Sequence, residues 1–136
     1  MSYIELFTKI SRDRIADCAA YVAEDIRFQD PFNDLRGRTA FQALLHKTLD
    51  DVASPAFEVI DEAHSDRGVH YLRWIFTGHV KGLGLWRIEG MSELHYNADG
   101  KVCLHIDHWD AGGQFYEKLP ILRWILKKIR MRLRID

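Results

Sequence analysis

The sequence predicts one α+β domain, with helices first and a curled antiparallel sheet after them. Three observations predict it. Before Pro55, most apolar residues recur at helical spacing, and after it the spacing becomes two. The chain holds 136 residues, of which 47% are apolar, the size and composition of one domain with a real core. Helices followed by a run of long strands give a sheet with helices on one face, whereas a doubly wound parallel sheet alternates the two.

The elements follow in chain order. Ile4, Phe7 and Ile10 predict a helix over 2–10. Ser11 is placed to cap a second helix running to about Ala23, with Ile15, Ala16, Ala19, Ala20 and Val22 as its stripe. Ile26 to Asp30 alternates as a strand and stops at Pro31. Gly37 breaks the chain, and Thr39 opens a third helix with Phe41, Leu44, Leu45 and Leu49 on one face. Strands are predicted over 57–60, 69–80, 85–96 and 101–110, the last two joined by the turn Asn97-Ala98-Asp99-Gly100. Gly112-Gly113 ends the sheet, and a helix starts near Leu119. We divide the chain into a body over 1–117 and a basic amphipathic helix over 118–136 within the same domain.

Composition narrows the function classes. Cys18 and Cys103 form no CxxC pair and no metal spacing, which points to a reduced, cytoplasmic setting. No secretory leader is expected from the first ten residues, and no stretch approaches the roughly 20 apolar residues of a spanning helix. The net charge of −1 hides an asymmetry. Residues 118–136 hold seven Lys/Arg and one acid, a net +6, while the other 117 hold twelve and nineteen, a net −7.

The last strand has an unusual face. Alternation puts Val102, Leu104 and Ile106 on one side and Cys103, His105, Asp107 and Trp109 on the other. An imidazole, a carboxylate and an indole in a row read as a pocket wall or as an exposed polar pair beside a surface Trp. Trp74 and Phe76 in the long strand 69–80 are assigned to the same pocket lining.

These residues resemble a known family. Tyr3-Ile4-Glu5-Leu6, Asp30-Pro31-Phe32, Gly37-Arg38, and Gly100-Lys101-Val102 leading to Trp109 resemble the ketosteroid isomerases. His105 and Asp107, five and seven residues past Gly100, resemble the His-Trp-Asp ending of SnoaL-like polyketide cyclases. Both belong to the nuclear transport factor 2-like superfamily, whose fold is an α+β cone. The resemblance implies that Asp30 is a general base acting next to a carbonyl, and that Tyr3 is an oxyanion donor, although three more residues separate the two here. Asp107 would be the cyclase acid/base and Trp109 an aromatic wall. Ser92 stands where the isomerases have a protonated aspartic acid, a stronger donor, so steroid isomerisation is not expected.

A carboxylate in an apolar cavity becomes a better base, because desolvation disfavours its charge. Asp30 and Asp107 facing one cavity would divide acid and base roles, with Tyr3 or His105 polarising a carbonyl. The alternative for Asp30 is an ordinary turn former before proline, and for Tyr3 an ordinary helix-face tyrosine. Such chemistry needs no cofactor. No metal is expected, since alternation sends His108 and Asp110 away from His105 and Asp107 and leaves two ligands. Gly82-Leu83-Gly84 lacks the context of a phosphate loop, and the other histidines are assigned no role.

On the C-terminal helix Arg123, Lys127, Arg130 and Arg134 form a cationic stripe beside a broad apolar face, with Trp124 and Met131 on a second stripe. It is expected either to dock on the body, over Val102, Leu104 and Ile106, or to lie on anionic lipid at the inner face of a membrane. Nucleic acid is not expected as a partner, because the body is acidic. A homodimer is expected, through the apolar outer face of the last strand. Three functions remain open: a cofactor-free isomerase or cyclase acting on a hydrophobic carbonyl compound, a non-catalytic binder of an apolar small molecule, and a dimeric interaction module with a vestigial pocket.

Overall fold

The computed structural model describes residues 2–115 and 119–134. Two short helices, α1 (Tyr3–Thr8) and α2 (Arg12–Ala16), are capped by Ser2 and Ser11, whose hydroxyls accept from the N–H groups of Glu5 and Arg14. A 3-10 turn over Cys18–Ala20 leads into β1 (Val22–Gln29). β2 (Asp34–Arg36), α3 (Arg38–Asp51), β3 (Val52–His64), β4 (His70–Val80), β5 (Gly84–Tyr96) and β6 (Val102–His108) complete the body. The one-turn α4 (Ala111–Gln114) and the long α5 (Pro120–Leu133) follow.

The strands form one curved, unclosed sheet in the order β2-β1-β6-β5-β4-β3. The architecture is the α+β cone expected. Four of its pairings are antiparallel, but β1 runs parallel to β6. This corrects the all-antiparallel expectation. A long connection supplies the crossover that a parallel pair needs, since α3 and the whole β3–β5 meander lie between the two strands.

Sheet pairing also overrides helix propensity. The second helix ends at Ala16, not near Ala23, because Val22 pairs with Val102 and the Val102 N–H donates to the Tyr21 carbonyl at 3.0 Å. Gly37, at φ +96, is the residue that caps α3, with Thr39 inside the first turn. β3 begins directly after α3 and carries Pro55 within a register shift between Ala53 and Ala56. The Asn97–Gly100 turn forms as predicted, with Gly100 at φ +78.

A bulge corrects the parity of the last strand. Tyr96 pairs with Val102 and His95 with Leu104, so Cys103 is an extra residue on β6. Val102 therefore points inward and is fully buried, while the Cys103 thiol donates back to the His95 carbonyl at 3.4 Å. Beyond the bulge the expected alternation resumes, with His105 and Asp107 inside. The outer apolar face is accordingly Leu104 and Ile106 without Val102.

The core lies between the helices and the inner face of the sheet. Leu6, Ile15, Val22, Ile26, Phe41 and Leu94 form it, each almost wholly buried. Gly90 on β5 lets the Trp74 indole lie against the strand, for a Cβ there would stand 2.6 Å from the ring.

Candidate functional site

β4, β5 and β6 put Trp74, Ser92 and Asp107 on the inner face, since Trp74 pairs with Gly90, two residues before Ser92, and Ser92 pairs with Asp107. A chain of hydrogen bonds runs through them. The Trp74 indole N–H donates to Ser92 Oγ at 2.8 Å, and the Ser92 hydroxyl donates to Asp107 Oδ1 at 2.5 Å. His105 Nε2 meets the same Oδ1 at 2.5 Å, and His105 Nδ1 meets the Tyr3 hydroxyl at 2.7 Å.

The proton positions follow from these partners. Burial, with the Asp107 charge adding, pushes the Tyr3 phenol well above its ordinary pKa. Tyr3 thus keeps its proton and donates to Nδ1, which leaves Nε2 to carry the ring proton and donate to Asp107. Oδ1 then receives two donors. Among the described residues, no hydrogen bond engages Oδ2.

Two chambers share Phe57, Trp74 and Asp107 as walls. The inner one, about 30 Å³, is lined by Tyr3, Phe7, Leu72, Ser92 and His105 among others. It has room for about one water. The outer one, about 420 Å³, is lined by Asp30, Asn33, Phe76, Trp86, Trp109 and Phe115 among others. That volume suits a small organic ligand.

Asp30 borders the outer chamber and also forms a turn before Asn33. Its Oδ1 accepts from the N–H groups of Phe32 and Asn33 at 2.8 and 2.7 Å, and both carboxylate oxygens accept from the Asn33 amide. Burial raises its pKa, the three donors oppose the rise, and the Asp107 charge adds to it. Both carboxylates border the outer chamber.

The structure thus brings Asp30, Asp107, Trp109, Trp74 and Phe76 to the outer chamber. Tyr3, His105 and Ser92 lie behind Asp107, on the inner one. Cys103, expected on this face, is displaced by the bulge. Arg123, Lys127, Arg130 and Arg134 lie away from both chambers, on or just past α5. Sequence reasoning missed Asn33, Phe57 and Phe115. Phe57 carried a signal in the alternation of its strand, whereas Asn33 and Phe115 sit in irregular segments where none exists. It also missed His70, which is buried between Glu62 and Tyr96 at 2.8 and 2.7 Å, away from both chambers. Among the described residues no group of three or more His, Cys, Asp or Glu is placed to hold a metal.

A curved, unclosed sheet with helices packed against it is the form of an α+β cone. The chain belongs to the SnoaL-like domain family, whose model matches residues 3–105. Asp107 lies just past that segment. Comparison with curated proteins finds no match. Among solved structures, a nuclear transport factor 2-like protein from Exiguobacterium superposes with a TM-score of 0.70 at 18% identity, covering 79% of this chain and 94% of that one. A protein from Catenulispora acidiphila with a ketosteroid isomerase-like fold, in complex with trimethylamine, gives 0.68 at 12% identity, covering 81% and 83%. An epoxide hydrolase of the LEH-like kind from Mycobacterium tuberculosis gives 0.67 at 15% identity, covering 93% and 91%. At such identities the likeness is one of fold.

Proposed function

We propose that the chain is a cofactor-free acid–base enzyme of the isomerase or cyclase type, acting on a hydrophobic carbonyl compound. The observation that carries this is the arrangement of Asp107. One of its oxygens is held by Ser92 and His105, and its side chain borders an aromatic chamber that Asp30 also borders. A carboxylate fixed by one oxygen presents the other to a substrate at a defined angle, which favours proton transfer over random encounter. In this reading Asp107 moves the proton beside the carbonyl, and Trp74, Phe76, Trp86 and Trp109 hold the apolar body of the substrate. Asp30 is the second proton-transferring group, tuned by its burial. His105 and Tyr3 are positioning residues for Asp107.

The test is exchange of the protons next to the carbonyl in a panel of apolar ketones in heavy water, followed by NMR. The wild type should accelerate exchange for at least one ketone, and Asp107→Asn should lower that rate by about 100-fold or more. No acceleration with any ketone would remove the reading.

One observation favours a second reading, a non-catalytic binder of an apolar ligand. The Asp30 carboxylate is already taken up by its own turn. A ketone that raises the melting temperature without exchanging its protons would support the binder.

A further inference from the structure

α5 stands apart from the rest of the molecule in its exposure. Ile121 is 77% exposed, Met131 68% and Trp124 61%. The helix meets the body along one line. Arg130 donates to Asp110 at 3.2 Å, and Leu126, one turn earlier, is only half-exposed. Ile121, Trp124, Lys128 and Met131, spaced three, four and three residues apart, run down the opposite side. The Lys128 ammonium lies 4.2 Å from the centre of the Trp124 ring, so an aromatic and a cation are presented together. Ile125 and Ile129 flank this stripe on one side and Lys127 on the other, and α5 contains no acidic residue.

We propose that this outward side of α5 seats the protein on an anionic lipid bilayer. Three features select lipid as the occupant. Lys128 lies within the exposed stripe and Lys127 and Arg132 beside it, so a flat layer of headgroups reaches these three at once. Lys and Arg stems bury their methylenes while their charges stay in water, and Trp favours the same boundary. The tail's net +6 is complementary to such a surface, which repels the body's −7 and so orients the molecule tail-first. No helix of the described residues is long and apolar enough to cross a membrane, so the contact is peripheral. The competing occupant is the acidic body of a second copy. A protein groove, however, would leave part of this two-sided cation distribution without partners.

The experiment is sedimentation of the full chain with vesicles of phosphatidylcholine alone, or of phosphatidylcholine with phosphatidylglycerol. The protein should pellet with the anionic vesicles at low salt, be released at high salt, and ignore the neutral ones. Each cation contributes roughly fivefold to partition, so K127E/K128E/R132E should weaken it by more than about 100-fold. Unchanged circular dichroism shows that this variant folds. Binding should also shift tryptophan emission to the blue, and Trp124→Phe should remove that shift. Wild type left in the supernatant with anionic vesicles at low salt would overturn the proposal. So would a charge-reversed variant that still pellets, or self-association that the same variant abolishes in the absence of vesicle binding.

Discussion

The Trp74 indole N–H is bound to Ser92 Oγ, and that hydroxyl passes its own proton toward Asp107. The aromatic wall and the carboxylate are therefore mechanically coupled through one small side chain. Ser92→Ala removes the link and strands a buried N–H, which costs about 1–3 kcal/mol. Adding Trp74→Leu removes the orphan but opens a cavity. A cleaner comparison is Trp74→Phe with Ser92→Ala, where no polar group is left alone. The double variant should lose less stability than the sum of the two single changes, measured by urea unfolding. Strict additivity would mean that the indole and the hydroxyl do not interact.

Gly90 sets the position of the same indole. Gly90→Ala places a methyl 2.6 Å from the Trp74 ring, and the backbone carbonyl of His108 at 3.1 Å blocks retreat on the other side. Overpacking of this kind costs about 1–3 kcal/mol. Melting curves should reveal that loss, and any proton-exchange activity should fall with it, since a displaced indole no longer steadies Ser92.

Asp30 gives a pH signature. Its pKa in the folded protein is raised by burial, so the native state holds its proton to higher pH than the unfolded chain does. The group's contribution to stability is complete below the ordinary aspartate range and is lost as pH rises through the raised native value. Asp30→Asn keeps an oxygen for the Phe32 and Asn33 N–H groups but does not titrate. The melting temperature of the variant relative to wild type should therefore climb from acid toward neutral pH and then level off. A difference that stays flat across that range would show that Asp30 does not titrate with a raised pKa.

Tyr3→Phe separates support of the fold from the proposed proton transfer. The ring contacts with Phe7 and Phe41 survive, but the buried His105 Nδ1 loses its donor. We expect a loss of about 1–3 kcal/mol in stability. Because Tyr3 borders the inner chamber only, proton exchange should fall far less than with Asp107→Asn. An equal fall would place the substrate carbonyl against Tyr3 instead.

Much of the site was legible because strand parity is a local property. Trp74, Phe76, His105 and Asp107 were assigned to the pocket and all face inward, whereas Ser92 was placed by its matched position in the resembling family. The same rule failed at Val102, where one inserted residue shifted the phase, and nothing local at Cys103 announces a bulge. The alanine-rich run before Val22 reads as helix on propensity. Pairing with a strand some eighty residues later decides otherwise, and that partner lies outside any local window. Tyr3 was placed by family resemblance alone, since no spacing rule connects it to His105. The amphipathic character of α5 was plain, but which side meets the body depends on Asp110 and Arg130, twenty residues apart.

The parallel pairing of β1 with β6 has a consequence for how the molecule is made. Tyr3 and His105 are 102 residues apart, and β6 reaches β1 only after the rest of the sheet has been synthesised. Contacts of such separation pay a large loop-closure entropy and tend to form slowly. A nascent or partly folded chain that lacks β6 has no Asp107 and no inner partner for Tyr3. It would have helices and hairpins, yet no polar chain from Tyr3 through His105 to Asp107. Assembly of the polar chain and completion of the sheet are one event, so the chain from Tyr3 to Asp107 comes into being only with the finished fold.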